Sequence, residues 1–346
     1  PVGIKDLYDT AGVRTTYRSL VFKDNVSTAD GVMPDRLKSA GAILVGKTNT
    51  PEFGCAFSTD NRLGEPCRNP WHLAMSAGGS SGGASSAVAA GMTPLCPGSD
   101  GGGSIRVPAS FCGLFGLKPT YGRIPYEIDP TYGAAIDFIC HGPMTRTVRD
   151  AAFLMNVLSG PDSRDYACIQ NPPPDYLAAL DEPLEPLRIA WSPDLGYASR
   201  ESEIVSIIDE TLRTLEDLGH RVEEVPVAFP APYRTWEEIA SAANHLMFHS
   251  MLEEHGEELS SYFRRTIEIG AELHGDAVIA DWMEVVRWRG RLAGLLAEYD
   301  VLVSPTVAVT SFPADETETK KPELAHGMMN WEAAPFTALF NFTHTP

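Results

Sequence analysis

The chain has 346 residues, 43% apolar and 21% charged, a balance typical of a globular protein with a sizeable core. Its formal net charge of −19 argues against a surface that binds nucleic-acid phosphates by charge. No apolar stretch reaches roughly 18 residues, the length of a membrane-spanning helix, so the sequence predicts no membrane span.

The cysteines are scattered and form no CxxC pair, which excludes a zinc ribbon or a redox motif. We expect reduced, buried thiols and a cytoplasmic protein, with no metal and no cofactor. The six residues concerned are Cys55, Cys67, Cys96, Cys112, Cys140 and Cys168.

The first half of the chain alternates short apolar runs with helical patterns. Residues 2–4 predict a strand, and the run AILV at residues 42–45 predicts a buried strand. Residues 84–90 (ASSAVAA) predict a tightly packed helix of small residues. Residues 147–158 predict a helix that begins at a capping box of Thr147 and Asp150.

The second half continues this alternation. Strands are predicted at 187–191, 221–225 and 301–303, and residues 236–296 are predicted to be mostly helical. Between the first two strands, residues 203–218 predict an amphipathic helix ended by Gly219, with an apolar face of Val205, Ile208, Leu212 and Leu215. The pattern indicates an α/β fold with a largely parallel or mixed sheet.

Two tracts of glycine and serine could carry chemistry. Residues 78–83 (GGSSGG) allow close approach by other groups, although a flexible linker is the alternative. Residues 99–106 (SDGGGSIR) place consecutive unobstructed N–H groups before a serine, an arrangement that can bind an oxyanion beside a nucleophile. A phosphate-binding loop or a plain turn is the alternative there.

A serine nucleophile needs a base. Histidines such as His72 and His141 lie in no nucleophile-elbow context, and no GxSxG motif frames Ser104. Lys5 follows an apolar strand and could serve if burial keeps it neutral, although a lone lysine is more often a solvated surface charge. The Walker-like spacing GAILVGKT, which contains Lys47, is rejected because a strand occupies the spacer.

Residues 78–119 closely resemble the amidase signature family. The opening PVGIKD resembles that family's strand with the catalytic lysine. Further matching text occurs at residues 48–53 (TNTPEF), 68–71 (RNPW) and 142–146 (GPMTR). The resemblance implies a mixed central β-sheet flanked by helices on both faces, and a Ser–Ser–Lys triad that works without a metal.

The resemblance assigns roles residue by residue. Ser104 matches the nucleophile, Ser80 the bridging serine in a cis peptide, and Lys5 the base. The amides of Gly101, Gly102, Gly103 and Ser104 match the oxyanion hole. We expect support from Ser81, Asp100 and Arg106, and a substrate wall from Phe53, Gly54, Cys55 and the helical region near residues 236–288.

The sequence departs from the family in two respects. Relatives begin before the lysine strand and continue past residue 346, so we expect an incomplete single catalytic domain over residues 1–346. Within it, residues 1–165 would be the catalytic core and residues 170–330 a variable, helix-rich substrate side. The motif also reads SDGGGS, with Gly101 where many relatives have a bulkier residue, which could loosen the oxyanion loop.

These observations predict an amidase that cleaves a carboxylic amide through a serine acyl-enzyme. The alternative within the fold is the amidase-like subunit of a tRNA-dependent amidotransferase. A nucleotide-binding module and an inactive scaffold are the other hypotheses. The expected partner is a small-molecule amide, with no nucleic acid and no membrane, and association as a homodimer is left open.

Overall fold

The computed structural model describes residues 1–127, 137–316 and 330–346, so parts of the predicted core and of the predicted substrate side lie outside it. The strands it describes are, in chain order, β1 (Val2–Lys5), β2 (Leu44–Thr48), β3 (Arg68–Asn69), β4 (His72–Ser76), β5 (Leu95–Asp100), β6 (Phe115–Gly116), β7 (Cys140–Thr145), β8 (Arg188–Trp191), β9 (Arg221–Glu224) and β10 (Val301–Val303).

The helices lie between these strands and agree well with the predicted pattern. Those of the described residues are α1 (Val32–Ser39), α2 (Gly82–Ala89), α3 (Arg106–Phe111), α4 (Val148–Leu158), α5 (Tyr176–Ala179), α6 (Ser202–Asp217), α7 (Tyr233–His255), α8 (Ser261–Glu272), α9 (Gly275–Leu296) and α10 (Ala338–Phe342). Thr147 caps α4 as predicted, because its side chain accepts a hydrogen bond from the Asp150 amide. None of the described helices combines the length and apolar character that a membrane crossing requires.

The central sheet has five strands in the order β2-β1-β5-β7-β6. β1 runs parallel to β2 and β5, whereas β7 is antiparallel to β5 and β6, so the predicted mixed sheet is confirmed. The strands β10, β8 and β9 form a second, wholly parallel sheet, and β3 and β4 form a short antiparallel pair.

Helices cover both faces of the central sheet. On one face, Val2 and Ile4 of β1 pack against Leu37 of α1 and Leu154 of α4. On the other, Cys96 of β5 and Met144 of β7 pack against α2 and α3, through residues such as Ala84, Val88 and Ala109. Successive side chains of a strand alternate between faces, so β1 can bury Ile4 on one side and direct Lys5 to the other.

The small residues of α2 allow its close packing. A side chain at Gly83 would place its Cβ 2.1 Å from the backbone nitrogen of Asn49, so only glycine fits there. This contact holds the start of α2, and the serines before it, against the segment that follows β2.

One predicted strand differs from the structure. Residues 42–45 were expected to form a buried strand, but β2 spans Leu44–Thr48 at the edge of the central sheet. Ile43 and Val45 are 70% and 57% exposed. An apolar run favours a strand but does not distinguish a central position from an edge, and this explains the error. Lys47 and Thr48 lie within the strand, which also argues against a phosphate-binding loop.

Candidate active site

Lys5 ends β1 with its side chain wholly buried. Its Nζ lies 2.7 Å from Ser80 Oγ and 2.9 Å from the Oγ atoms of both Ser81 and Ser99. Its hydrogen-bond partners among the described residues are therefore all hydroxyls. The neighbouring carboxylate, Asp6, does not contact Lys5 but accepts hydrogen bonds from Thr16.

This environment changes the charge state of Lys5. Burial lowers its pKa from 10.5 to about 7, while the more distant negative charge of Asp100 opposes the shift. A lysine with a pKa near 7 is substantially neutral at mildly alkaline pH. Its Nζ then has a lone pair that can accept a proton.

The two serines of the first tract lie at the start of α2. The peptide bond between Gly79 and Ser80 is cis, as the resemblance implies. Ser81 occupies the position before the first residue of α2, and its amide donates to the carbonyl oxygen of Ser104 at 3.1 Å. This backbone hydrogen bond joins the two glycine–serine tracts directly.

The second tract forms a loop between β5 and α3. The backbone N–H groups of residues 101–104 donate no hydrogen bond to any of the described residues. No described residue thus occupies these four amide groups of the Ser104 loop. This is the donor arrangement that an oxyanion requires.

The loop is held by residues far away in the sequence. The carbonyl oxygen of Gly101 accepts from Trp236 Nε1 at 2.7 Å, and that of Gly102 accepts from Thr337 Oγ1. Gly103 has a φ of 141°, and a Cβ there would lie 2.4 Å from Thr337 Oγ1. Because the carbonyls are bound from outside, the loop has a defined orientation despite its glycines.

A buried ion pair lies under this loop. Asp100 is fully buried and accepts from Arg106 Nε at 3.0 Å, from Arg106 Nη2 at 2.8 Å and from Asn341 Nδ2 at 3.0 Å. Burial alone would raise the pKa of Asp100, but the charge and hydrogen bonds of Arg106 hold it well below its usual range. The predicted supporting residues Asp100 and Arg106 thus form an ion pair next to the loop.

Ser80 and Ser104 line one cavity of about 550 Å³. The predicted wall residues Phe53, Gly54 and Cys55 line it, together with Trp236 and other residues of α7. Trp288, at the far end of the predicted wall region, packs in the core instead. No hydrogen bond joins the Ser80 and Ser104 hydroxyls within the part of the chain that the structure describes.

Several residues at the site were not assigned from the sequence. Ser99 is the third hydroxyl on Lys5, and Trp236, Thr337 and Asn341 hold the glycine loop. His141 lines the cavity. Thr337 and Asn341 have no local motif, whereas Ser99 could have been found from its position in the second tract.

Comparison with known proteins agrees with this geometry. The family model described as Amidase matches residues 1–346. The chain belongs to the amidase signature family. This membership places it among hydrolases that act on carbon–nitrogen bonds other than peptide bonds.

Two relatives in the amidase signature family differ in how much of this chain they match. An acylamidase of Rhodococcus erythropolis is 37% identical over 100% of this chain and 72% of its own length. A glutamyl-tRNA(Gln) amidotransferase subunit of Roseiflexus sp. is 43% identical, over 67% of this chain. The chain spans about half the length of that second relative.

Solved structures of the amidase signature family superpose on almost the whole chain. A bacterial aryl acylamidase gives a TM-score of 0.88 at 29% identity, covering 99% of this chain and 74% of its own. A 6-aminohexanoate cyclic dimer hydrolase gives 0.86 at 27% identity, covering 99% of this chain and 76% of its own.

Proposed function

We propose that this chain hydrolyses a carboxylic amide through an acyl-enzyme formed on Ser104, with Ser80 and Lys5 as its proton relay. The observation that carries the proposal is the buried Lys5, whose Nζ lies 2.7 Å from Ser80 Oγ. Ser80 and Ser104 line the same cavity, and no described residue accepts a hydrogen bond from the backbone N–H groups of residues 101–104.

In the proposed reaction, neutral Lys5 accepts the proton of Ser80 while Ser80 accepts that of Ser104. Ser104 Oγ attacks the amide carbonyl, and the amides of residues 101–104 donate to the negative oxygen that forms. The relay then returns its proton to the nitrogen of the leaving amine, and the carbon–nitrogen bond breaks. Water attacks the resulting ester by the same route and releases the acid.

We infer a free-standing amidase acting on small acylamides. The alignment with the acylamidase extends over 100% of this chain, whereas that with the amidotransferase subunit covers 67%. The cavity wall is rich in apolar side chains, such as Phe53, Phe248 and Met247, which suits an alkyl or aryl group.

The amidotransferase subunit is the second candidate, favoured by its 43% identity in the aligned part. It predicts glutaminase activity and copurification with partner subunits. The net charge of −19 gives no support to tRNA binding by this chain.

We also propose that residues 1–346 act as one catalytic domain rather than as separate catalytic and substrate units. Trp236 and Thr337 come from the second half of the chain, yet they bind carbonyl groups of the loop beside Ser104. The loop that the chemistry needs is therefore held by both halves.

The direct test is turnover of N-acyl p-nitroanilides by wild type and by Ser104→Ala, with Ser110→Ala as the matched control. Ser110 is exposed on α3 and should tolerate the change. Ser104→Ala should fold normally and lose turnover, while Ser110→Ala keeps it. Equal turnover by Ser104→Ala and wild type would refute the proposal, and glutamine hydrolysis without anilide hydrolysis would favour the second candidate.

A further inference from the structure

A histidine lies in the cavity wall close to the relay. His141 is on β7, in register with Ser99 of β5, and is only 5% exposed. Its Nδ1 lies 2.9 Å from the hydroxyl of Tyr8. Its Nε2 has no hydrogen-bond partner among the described residues, although the side chain lines the cavity. Nε2 is not enclosed by protein, so it meets the cavity, where a bound ligand can accept a hydrogen bond from it.

The imidazole ring is held in one orientation. Tyr8 packs edge-on with ring centroids 5.0 Å apart, and Tyr126 packs at a tilt with centroids 4.9 Å apart. Burial, reinforced by the nearby Lys5, lowers the pKa of His141 to about 3. The ring is therefore neutral at any pH at which Lys5 can act as a base, and it carries a single N–H.

The hydrogen bond with Tyr8 determines which nitrogen carries that hydrogen. Among the described residues, the Tyr8 hydroxyl has one hydrogen-bond partner, His141 Nδ1 at 2.9 Å. A buried hydroxyl whose hydrogen has no acceptor costs free energy, so Tyr8 donates to Nδ1. The hydrogen of His141 is then on Nε2.

We propose that His141 is a specificity-determining residue, whose Nε2–H donates a hydrogen bond to a neutral oxygen atom of the substrate away from the scissile amide. The proposal rests on the proposed amidase function, because the oxygen belongs to the amide substrate that Ser104 would cleave in the same cavity. A site with a fixed donor discriminates against a substrate analogue that lacks the matching acceptor.

The oxygen should be neutral because the same wall is acidic. Asp9, Asp30 and Glu127 line the cavity, whereas its lining within the described residues includes no lysine or arginine. Lys38 pairs with Asp30, but among the described residues no cation pairs with Asp9 or Glu127, so a substrate carboxylate would meet like charge there. Ether, ketone, hydroxyl and amide oxygens fit both the donor and the charge of the wall.

The first test reads the tautomer directly and does not depend on activity. The protein is labelled with ¹⁵N-histidine, and the His141 ring signals are assigned in the NMR spectrum by their loss in His141→Gln. We expect a neutral ring with its hydrogen on Nε2 throughout pH 6–8, and loss of this fixed tautomer in Tyr8→Phe. A ring that is protonated, or that carries its hydrogen on Nδ1, overturns the proposal whether or not any amide is hydrolysed.

The second test uses substrate pairs that differ by one oxygen. In acyl p-nitroanilides, an ether oxygen replaces a methylene at successive positions of the acyl chain, and a matched series varies the amine with a constant acyl group. At one position, wild type should prefer the ether by about tenfold in kcat/KM over its all-carbon partner. His141→Phe should abolish this preference, and His141→Gln, which keeps a donor, should retain part of it.

The outcomes separate the two proposals. Ser104-dependent hydrolysis with no ether preference at any position overturns the role of His141 but leaves the amidase function intact. If His141→Phe keeps the ether preference, the role of His141 is likewise overturned and the amidase function is left intact. Absence of hydrolysis across both series counts against the amidase function, while the tautomer measurement still decides the arrangement of His141.

Discussion

Lys5 can lose its positive charge near neutral pH, because its side chain is buried among hydroxyl groups. Burial lowers its pKa to about 7, and its charged form cannot accept the Ser80 proton. We therefore predict that kcat/KM rises with pH through one ionisation near 7 and reaches a plateau above it, because the neutral base predominates there. Lys5→Met, which preserves volume, should remove this step and reduce kcat/KM by about 10²–10⁴-fold.

A second lysine provides the control for this profile. Lys47 lies on the neighbouring strand, and burial lowers its pKa to about 8. Lys47→Arg keeps the positive charge but cannot titrate in this range, so the step near 7 should remain. If Lys5→Met retains the wild-type profile, Lys5 is not the base.

At the scale of single residues, the sequence indicated the serines of the site more clearly than the residues that surround them. Ser80 and Ser104 lie in glycine-rich tracts whose backbone freedom is visible locally. Lys5 was a candidate because it follows an apolar strand, but a lone lysine is more often a surface charge, and its match to the family's lysine strand made it the favoured base. The buried hydroxyl of Ser99 and the ring of His141 depend on the pairing of β5 with β7, which the sequence does not display.

At the scale of elements, the loop of residues 101–104 depends on hydrogen bonds from Trp236 on α7 and from Thr337, just before α10. Thr337→Val should lower kcat by about tenfold to a hundredfold, because the loop amides lose their fixed orientation. KM should change little, and the loss of stability should be about 1 kcal/mol.

Thr343→Val is the matched control, because Thr343 is also buried and donates to a backbone carbonyl, that of Leu339. It should lose comparable stability, measured by urea unfolding, without a change in kcat. Equal kcat values for the two variants would show that the Thr337 hydrogen bond does not orient the loop.

The elements themselves were largely predictable, but their long-range partners were not. The pattern of α4 contained its own cap at Thr147, and the apolar face of α6 followed from periodicity. The contacts that hold the glycine loop join residues 135 and 235 positions apart, so no local pattern reports them. For the same reason, the exposed edge position of β2 was mistaken for a buried one.

For the whole molecule, the proposed chemistry relies on hydroxyls, one amine and backbone amides. In the described ranges, no three or more His, Cys, Asp or Glu side chains are placed to hold a metal ion. We predict that incubation with EDTA followed by desalting leaves the rate of amide hydrolysis unchanged. A loss of activity that zinc or manganese restores would contradict the mechanism.

Residues from both halves of the chain hold the loop that contains Ser104. The central claim is that Ser104 is the nucleophile. The most direct measurement is mass spectrometry of the protein after reaction with a fluorophosphonate, which bonds covalently to an activated serine hydroxyl and releases fluoride. We predict one adduct per chain, mapped to the peptide that contains Ser104 and strongly reduced in Lys5→Met. An adduct on another residue, or hydrolysis that continues at full rate after Ser104 is modified, would contradict this role.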